Sequence, residues 1–217
     1  MDKYRKQRMR MIDSHIRSRG VGDERVLKVM EMIPRHLFVD EGLINQAYND
    51  NPLPIGERQT ISQPYIVALM TAALELKGDE KVLEIGTGCG YQSAVLSKLA
   101  DRVFSIERIA SLAGKARALL DSLGCFNVLI RVGDGTYGWK EESPFDAIII
   151  TAGAPDVPRP FLDQLAVGGR LVVPVGSQHS QTLLKLTRLS ENIEDIKKED
   201  LGGCRFVNLI GEHGWGS

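Results

Sequence analysis

The stretch Val82-Leu83-Glu84-Ile85-Gly86-Thr87-Gly88-Cys89-Gly90 decides the fold. A short, mostly apolar strand runs into three glycines spaced two residues apart, and a helix-like stretch follows at 92–99. Glycine lets the backbone turn sharply and approach a ligand without a side chain in the way. In a doubly wound sheet such a turn lies at the carboxyl end of a strand, where ligands bind. A plain strand-to-helix connection would look the same, so the motif needs support from its neighbours.

Outward from this motif, strand-like apolar runs recur at 82–85, 103–106, 128–132, 147–150 and 171–175. Between the second and third, Leu112, Ala116, Leu119, Leu120 and Leu123 mark one face of a helix. This strand–helix alternation implies an α/β fold with a parallel sheet covered on both sides. After Thr182 the helical pattern stops. Residues 183–189 alternate apolar with polar, and 205–209 is a further strand candidate; two strands without a long crossover suggest an antiparallel pair finishing the sheet.

Upstream, 2–19 and 23–32 read as short helices broken at Gly20 and Gly22, with Asp23 as N-cap of the second and Pro34 as its stop. Residues 40–61, with Gly42, Pro52, Pro54 and Gly56, have loop composition. A third helix starts near Ser62, where Ile66, Leu69, Met70, Ala73 and Leu74 keep the spacing of a buried stripe, and it ends at Gly78. The expected organisation is a single domain over 1–217. It divides into a helical, substrate-side region at 1–78, a cofactor-binding core at 79–176 and C-terminal strands at 177–217.

The chain has 217 residues, 43% of them hydrophobic and 25% charged, with a formal net charge of −1. No global field attracts nucleic acid or an anionic membrane. The basic run at 3–10, with Arg17 and Arg19, fits a solvated helix face; contact with RNA or lipid is the alternative. Cys89, Cys125 and Cys204 form neither a disulfide framework nor a metal pair, and His15, His36, His179 and His213 lack ligand spacing. No apolar run approaches the ~20 residues of a membrane span, and the charged N-terminus is not a signal peptide. The expectation is a cytoplasmic monomer without metal, nucleic acid or membrane as partner.

Three details bear on the ligand. The spacing is Gly-x-Gly-x-Gly, not the Gly-x-Gly-x-x-Gly of pyrophosphate binders, and no Lys-Ser/Thr follows as in a P-loop. Glu84 stands two residues before Gly86, where a carboxylate would repel a pyrophosphate but attract the ammonium and sulfonium of S-adenosylmethionine. Glu107 ends the second strand, where an acid can accept hydrogen bonds from both ribose hydroxyls. Asp134-Gly135 follows the third strand and is either a partner for the adenine amino group or an Asp-Gly turn. Thr151, after 147–150, closes the cleft, and Thr87 belongs to the turn itself. Together these motifs resemble the Rossmann-like methyltransferases over about 80–175. That resemblance implies a mostly parallel seven-stranded sheet with an antiparallel C-terminal pair and an N-terminal helical extension.

A narrower resemblance lies outside the nucleotide motifs. Ala47-Tyr-Asn-Asp-Asn-Pro-Leu-Pro-Ile-Gly56 and Gln59-Thr-Ile-Ser-Gln-Pro-Tyr-Ile-Val-Ala-Leu-Met70 closely resemble protein-L-isoaspartate O-methyltransferases. So do Pro34-Arg-His-Leu-Phe-Val39, Asp134-Gly-Thr-Tyr-Gly-Trp139, Gly168-Gly-Arg-Leu-Val-Val-Pro-Val-Gly176 and Arg205-Phe-Val-Asn-Leu209. The resemblance implies methyl transfer from S-adenosylmethionine to the free α-carboxylate of isoaspartyl residues in damaged proteins and peptides, with repair through a succinimide. Ser62 is then the residue expected to orient that carboxylate, and it also reads as a helix N-cap. Thr60 and Ile61 line the transfer pocket. Ile55 and Val207 are the candidates for gripping the peptide. Two departures from the family pattern, at Glu57-Arg58 and at Asn208, bear on sequence preference more than on the reaction.

Overall fold

Apolar runs bounded by glycines become the inner strands of one large sheet, as the alternation predicts. The computed structural model describes residues 3–216. The chain opens with α1 (Arg5–Arg10), whose helical path widens over Met11–Ile16, tightens over Arg17–Arg19 and ends where Gly20 adopts φ +94°. Asp2, the first residue of the expected 2–19 helix, lies outside the described residues. In α2 (Glu24–Met32) the Asp23 carboxylate accepts from the Arg25 and Val26 N–H groups at 3.0 and 3.2 Å, so the expected cap is present.

The segment 40–61 is more ordered than its composition predicts. A 3₁₀ helix at Glu41–Gln46 is followed by a hairpin of β1 (Leu53–Gly56) and β2 (Gln59–Ile61). The third helix, α3 (Pro64–Ala73), starts two residues after Ser62, and Ser62 does not cap it. Its free N–H at Tyr65 is met instead by Asp50 Oδ1 at 3.0 Å, fifteen residues upstream. The helix ends at Ala73, short of Gly78.

The alternating region supplies β3 (Lys81–Ile85), α4 (Tyr91–Ser97), β4 (Arg102–Glu107), α5 (Ala110–Ser122), β5 (Val128–Val132) and β6 (Phe145–Ile150). Then come α6 (Arg159–Gln164), β7 (Leu165–Gly176), β8 (Gln181–Arg188) and β9 (Ile196–Cys204). The sheet order is β5-β4-β3-β6-β7-β8-β9, parallel from β5 to β7, with β8 antiparallel to both its neighbours. The last strand is therefore at 196–204, not at the expected 205–209, which carries only an isolated bridge from Asn208 to Gly153. Charge hides this strand in the sequence: Lys197, Lys198, Glu199 and Asp200 sit on a sheet edge, where charge discourages pairing with another chain.

The pleat sorts the core into two layers. Val82, Val103, Ala147 and Val172 pack under the N-terminal helices, α3, α4 and α5, while Leu83, Phe104, Ile148 and Leu171 pack toward Phe161 of α6. Large side chains such as Leu74 and Phe161 are fully buried, each contributing about 1.5–3 kcal/mol from removal from water. From β3 the chain steps to β4 and β5 on one side and returns to β6 on the other. That reversal opens a crevice beyond the carboxyl ends of β3 and β6.

Candidate active site

The crevice is built around the turn after β3. Gly86 N–H donates to the Ile106 carbonyl at 2.9 Å, and Thr151 N–H donates to the Ile85 carbonyl at 2.9 Å. The Thr151 hydroxyl adds bonds to the carbonyls of Ile85 and Gly86 at 2.9 and 2.8 Å. Gly86 has φ +95°, and a Cβ there would lie 2.3 Å from Thr151 Oγ1. Glycine is required at this position by backbone angle and by space together.

Glu107, at the end of β4, is 6% exposed. Its Oε2 accepts from Gly88 N–H and its Oε1 from Ile109 N–H, each at 2.9 Å. A carboxylate has about four lone-pair sites, so two remain for a ligand.

Three spaces meet at this turn. An outer cleft of about 580 Å³, open to solvent, is lined by Thr60, Gly86, Gly88, Glu107, Gly135, Thr151 and Val207 among the expected residues. An inner cavity is lined by Thr60, Ile61, Ser62, Gly86, Thr87, Gly88 and Thr151. A surface groove of about 960 Å³ runs along Thr60, Ser62 and Val207, with Arg19, Tyr65 and Phe206 beyond them. Thr60 and Thr151 border all three, and Ser62 borders the inner cavity and the groove.

The geometry corrects several sequence expectations. Glu84 lines none of these spaces. It lies behind the turn with no exposed surface, and its Oε2 accepts from Ser105 at 2.6 Å and from Ser93. Burial pushes its carboxyl up to about 7 against the hydrogen bonds of the two serines, and the nearby Glu107 charge adds to the rise. Its Oε1 has no partner. Ser105 faces Glu84 across the β3–β4 pairing, a polar residue inside an apolar strand and a signal that could have revealed this cluster.

Asp134 also stays out of the cleft. Its Oδ1 accepts from the Thr136 N–H and hydroxyl at 2.8 and 2.7 Å, and its Oδ2 from Glu212 N–H at 2.9 Å. Burial raises this carboxyl, but the bonds from Glu212 and Thr136 outweigh it and hold the group below its ordinary value. Of the two readings of Asp134-Gly135, the turn is the one present, and only Gly135 lines the cleft. Ile55 faces a separate pocket behind Gly88, beside Leu37, Phe38 and Leu112, so it does not border the groove. Val207 does; its carbonyl accepts from Gly153 N–H at 2.7 Å, and its N–H has no partner among the described residues.

Gln59 and Arg108, which the sequence did not single out, also line the cleft, and so does Asn208, one of the two departures from the family pattern. The first two follow directly from the β2 hairpin strand and the end of β4; the third depends on how the C-terminal segment folds back over β6. Among the described residues no cluster of three or more His, Cys, Asp or Glu side chains could hold a metal ion.

The family described as protein-L-isoaspartate(D-aspartate) O-methyltransferase matches residues 6–214. The chain belongs to this family. A protein-L-isoaspartate O-methyltransferase of Syntrophus aciditrophicus (strain SB) is 71% identical over 215 residues, spanning 99% of each chain. One of Geobacter metallireducens is 60% identical over 210 residues, 97% of this chain and 96% of that one. A solved protein-L-isoaspartate O-methyltransferase superposes with a TM-score of 0.84 at 30% identity, covering 95% of this chain and 67% of its own. A putative Plasmodium falciparum member, solved with S-adenosyl-L-homocysteine, shares the fold at a TM-score of 0.79 and 23% identity, covering 97% of this chain and 99% of its own. The family's sheet with its N-terminal helices is thus the fold found here.

Proposed function

We propose that this chain transfers a methyl group from S-adenosylmethionine to the free α-carboxylate of isoaspartyl residues in damaged proteins and peptides, starting a repair that proceeds through a succinimide. The observation that carries the proposal is the meeting of the three spaces at Thr60 and Thr151, with Ser62 between the inner cavity and the groove. A small ligand in the cleft and an extended peptide in the groove would approach each other at that junction.

The residues present fit the methyl donor. Gly86 and Gly88 leave the turn clear of side chains, and Glu107 keeps lone pairs free for ribose hydroxyls. S-adenosylmethionine, when bound, supplies a methyl group on a positively charged sulfur. The α-carboxylate is already ionised at neutral pH, so the protein needs no general base. Its work is alignment and exclusion of water. In this reading Ser62 orients the incoming carboxylate by its hydroxyl, and Val207 N–H donates to a peptide carbonyl; Ile61 and Met70 supply apolar wall.

The proposal extends to a single-domain monomer acting in the cytoplasm. What supports it is one continuous core from the N-terminal helices to the sheet and three separate free thiols. Among the described residues no helix is long and apolar enough to cross a membrane.

Two peptides identical except for an isoaspartyl or aspartyl linkage test the reading, with base-labile methyl ester as the readout. Misplacement by ~1 Å costs about a hundredfold, so the isoaspartyl peptide should be methylated at least that much faster. Comparable methylation of both would mean a general carboxyl methyltransferase.

A further inference from the structure

Arg35 is fully buried, and its guanidinium ties together two segments that flank the active site. Nε donates to the Ala47 carbonyl and Nη2 to the Ser62 carbonyl, both at 2.8 Å. The guanidinium carbon lies 4.8 Å from the centre of the Tyr91 ring, and Tyr91 lines the inner cavity. Burial lowers its basicity; Tyr91, Cys89 and Tyr48 work against that, none of them a carboxylate, and Nη1 has no hydrogen-bond partner. A buried cation without a carboxylate is costly. Two carbonyl acceptors and the face of the Tyr91 ring offset part of that cost, and one of the two carbonyls belongs to Ser62.

The structure assigns Arg35 the role of a positioning residue for methyl transfer: by holding the Ser62 carbonyl from behind Tyr91, it fixes the Ser62 hydroxyl where the inner cavity opens into the groove. This rests on the reading of Ser62 as the group that orients the α-carboxylate. Ser62 needs such a hold, because it lies outside α3 and does not cap it. The planar fork of arginine reaches two carbonyls at once; lysine reaches one.

A double-mutant cycle separates this role from a structural one. Turnover on an isoaspartyl peptide and affinity for S-adenosylhomocysteine are measured for the parent, Ser62→Ala, Arg35→Met, Arg35→Lys and the doubles, each below its own melting temperature. Arg35→Met should lower kcat about tenfold or more and leave S-adenosylhomocysteine affinity within about threefold, with Arg35→Lys between it and the parent. In the Ser62→Ala background Arg35→Met should cost no more than about twofold further, because the hydroxyl it positions is gone. If the two losses multiply, or if cofactor affinity falls in step with kcat, Arg35 does not act through Ser62. If Ser62→Ala alone turns over like the parent, both roles fail. Should Arg35→Met not fold, the Arg35→Lys cycle decides by the same criterion.

Discussion

The hydroxyl of Thr151 bridges the carbonyls of Ile85 and Gly86, at 2.9 and 2.8 Å, and thereby ties the end of β6 to the glycine turn of β3. These two strands flank the topological reversal of the sheet. The bond therefore sets the width of the crevice at its floor.

Gly86→Ala should break this tie. Its Cβ would lie 2.3 Å from Thr151 Oγ1 at a backbone φ of +95°. The strain and the displaced hydroxyl together should lower stability by roughly 1–3 kcal/mol. Affinity for S-adenosylhomocysteine should fall with it. Urea unfolding and calorimetry read the two effects. Gly42→Ala, which faces open space, is the control and should change neither.

Glu107→Ala should weaken S-adenosylhomocysteine binding at least tenfold. It removes the proposed ribose acceptor and leaves the Gly88 and Ile109 N–H groups without their partner, each charge-assisted bond being worth about 1.5–3 kcal/mol. Asp134→Ala should lower stability by about 1 kcal/mol, as for loss of a cap, with a smaller effect on binding. Titration calorimetry on both variants checks the order; a larger binding loss for Asp134→Ala would return that carboxylate to the cofactor site.

Glu84 makes stability depend on pH. Burial raises its carboxyl to about 7 in the folded chain against an ordinary 4.5. Between these values the folded chain binds more protons than the unfolded one, so this group's contribution to stability falls as pH rises from about 4.5 to 7. A shift of that size corresponds to on the order of 3 kcal/mol. Glu84→Gln cannot titrate. The stability of the parent minus that of Glu84→Gln should therefore decline across this window, measured by urea unfolding at several pH values. A flat difference would mean that the carboxyl titrates normally.

The β1–β2 hairpin turns on Glu57 and Arg58, with φ of 52° and 57°. A two-residue turn of this hand favours Asn-Gly. Arg58→Gly should raise stability by roughly 0.5–1 kcal/mol, since relief of the left-handed conformation exceeds the entropy cost of glycine. Arg58→Val should lower it. Melting temperatures of the two variants should move in opposite directions from the parent.

Much of the fold was legible because its signals are local. The apolar runs, the glycine turn and the helical stripes between them lie within a few residues of one another, and they yield strand, turn and helix in the right order. The hairpin at 53–61 and the strand at 196–204 were not legible: prolines and glycines mask the first, and edge-strand charge masks the second. Thr60, Ser62, Glu107, Thr151 and Val207 each line at least one of the three spaces around the turn, whereas Ile55 lines none of them.

By itself, then, the sequence determined the doubly wound sheet, the family and the glycine turn that borders the crevice, since periodicity and motif spacing are properties of neighbouring residues. Only the tertiary structure decided what each polar side chain does there. Glu84 went behind the turn because Ser93 and Ser105 meet it from α4 and β4, and Asp134 was taken by Glu212 from the far end of the chain. Asp50 rather than Ser62 met the start of α3, and Arg35 reached Ser62 across 27 positions. A buried polar group must find partners wherever packing brings them, and packing joins residues that the sequence keeps far apart.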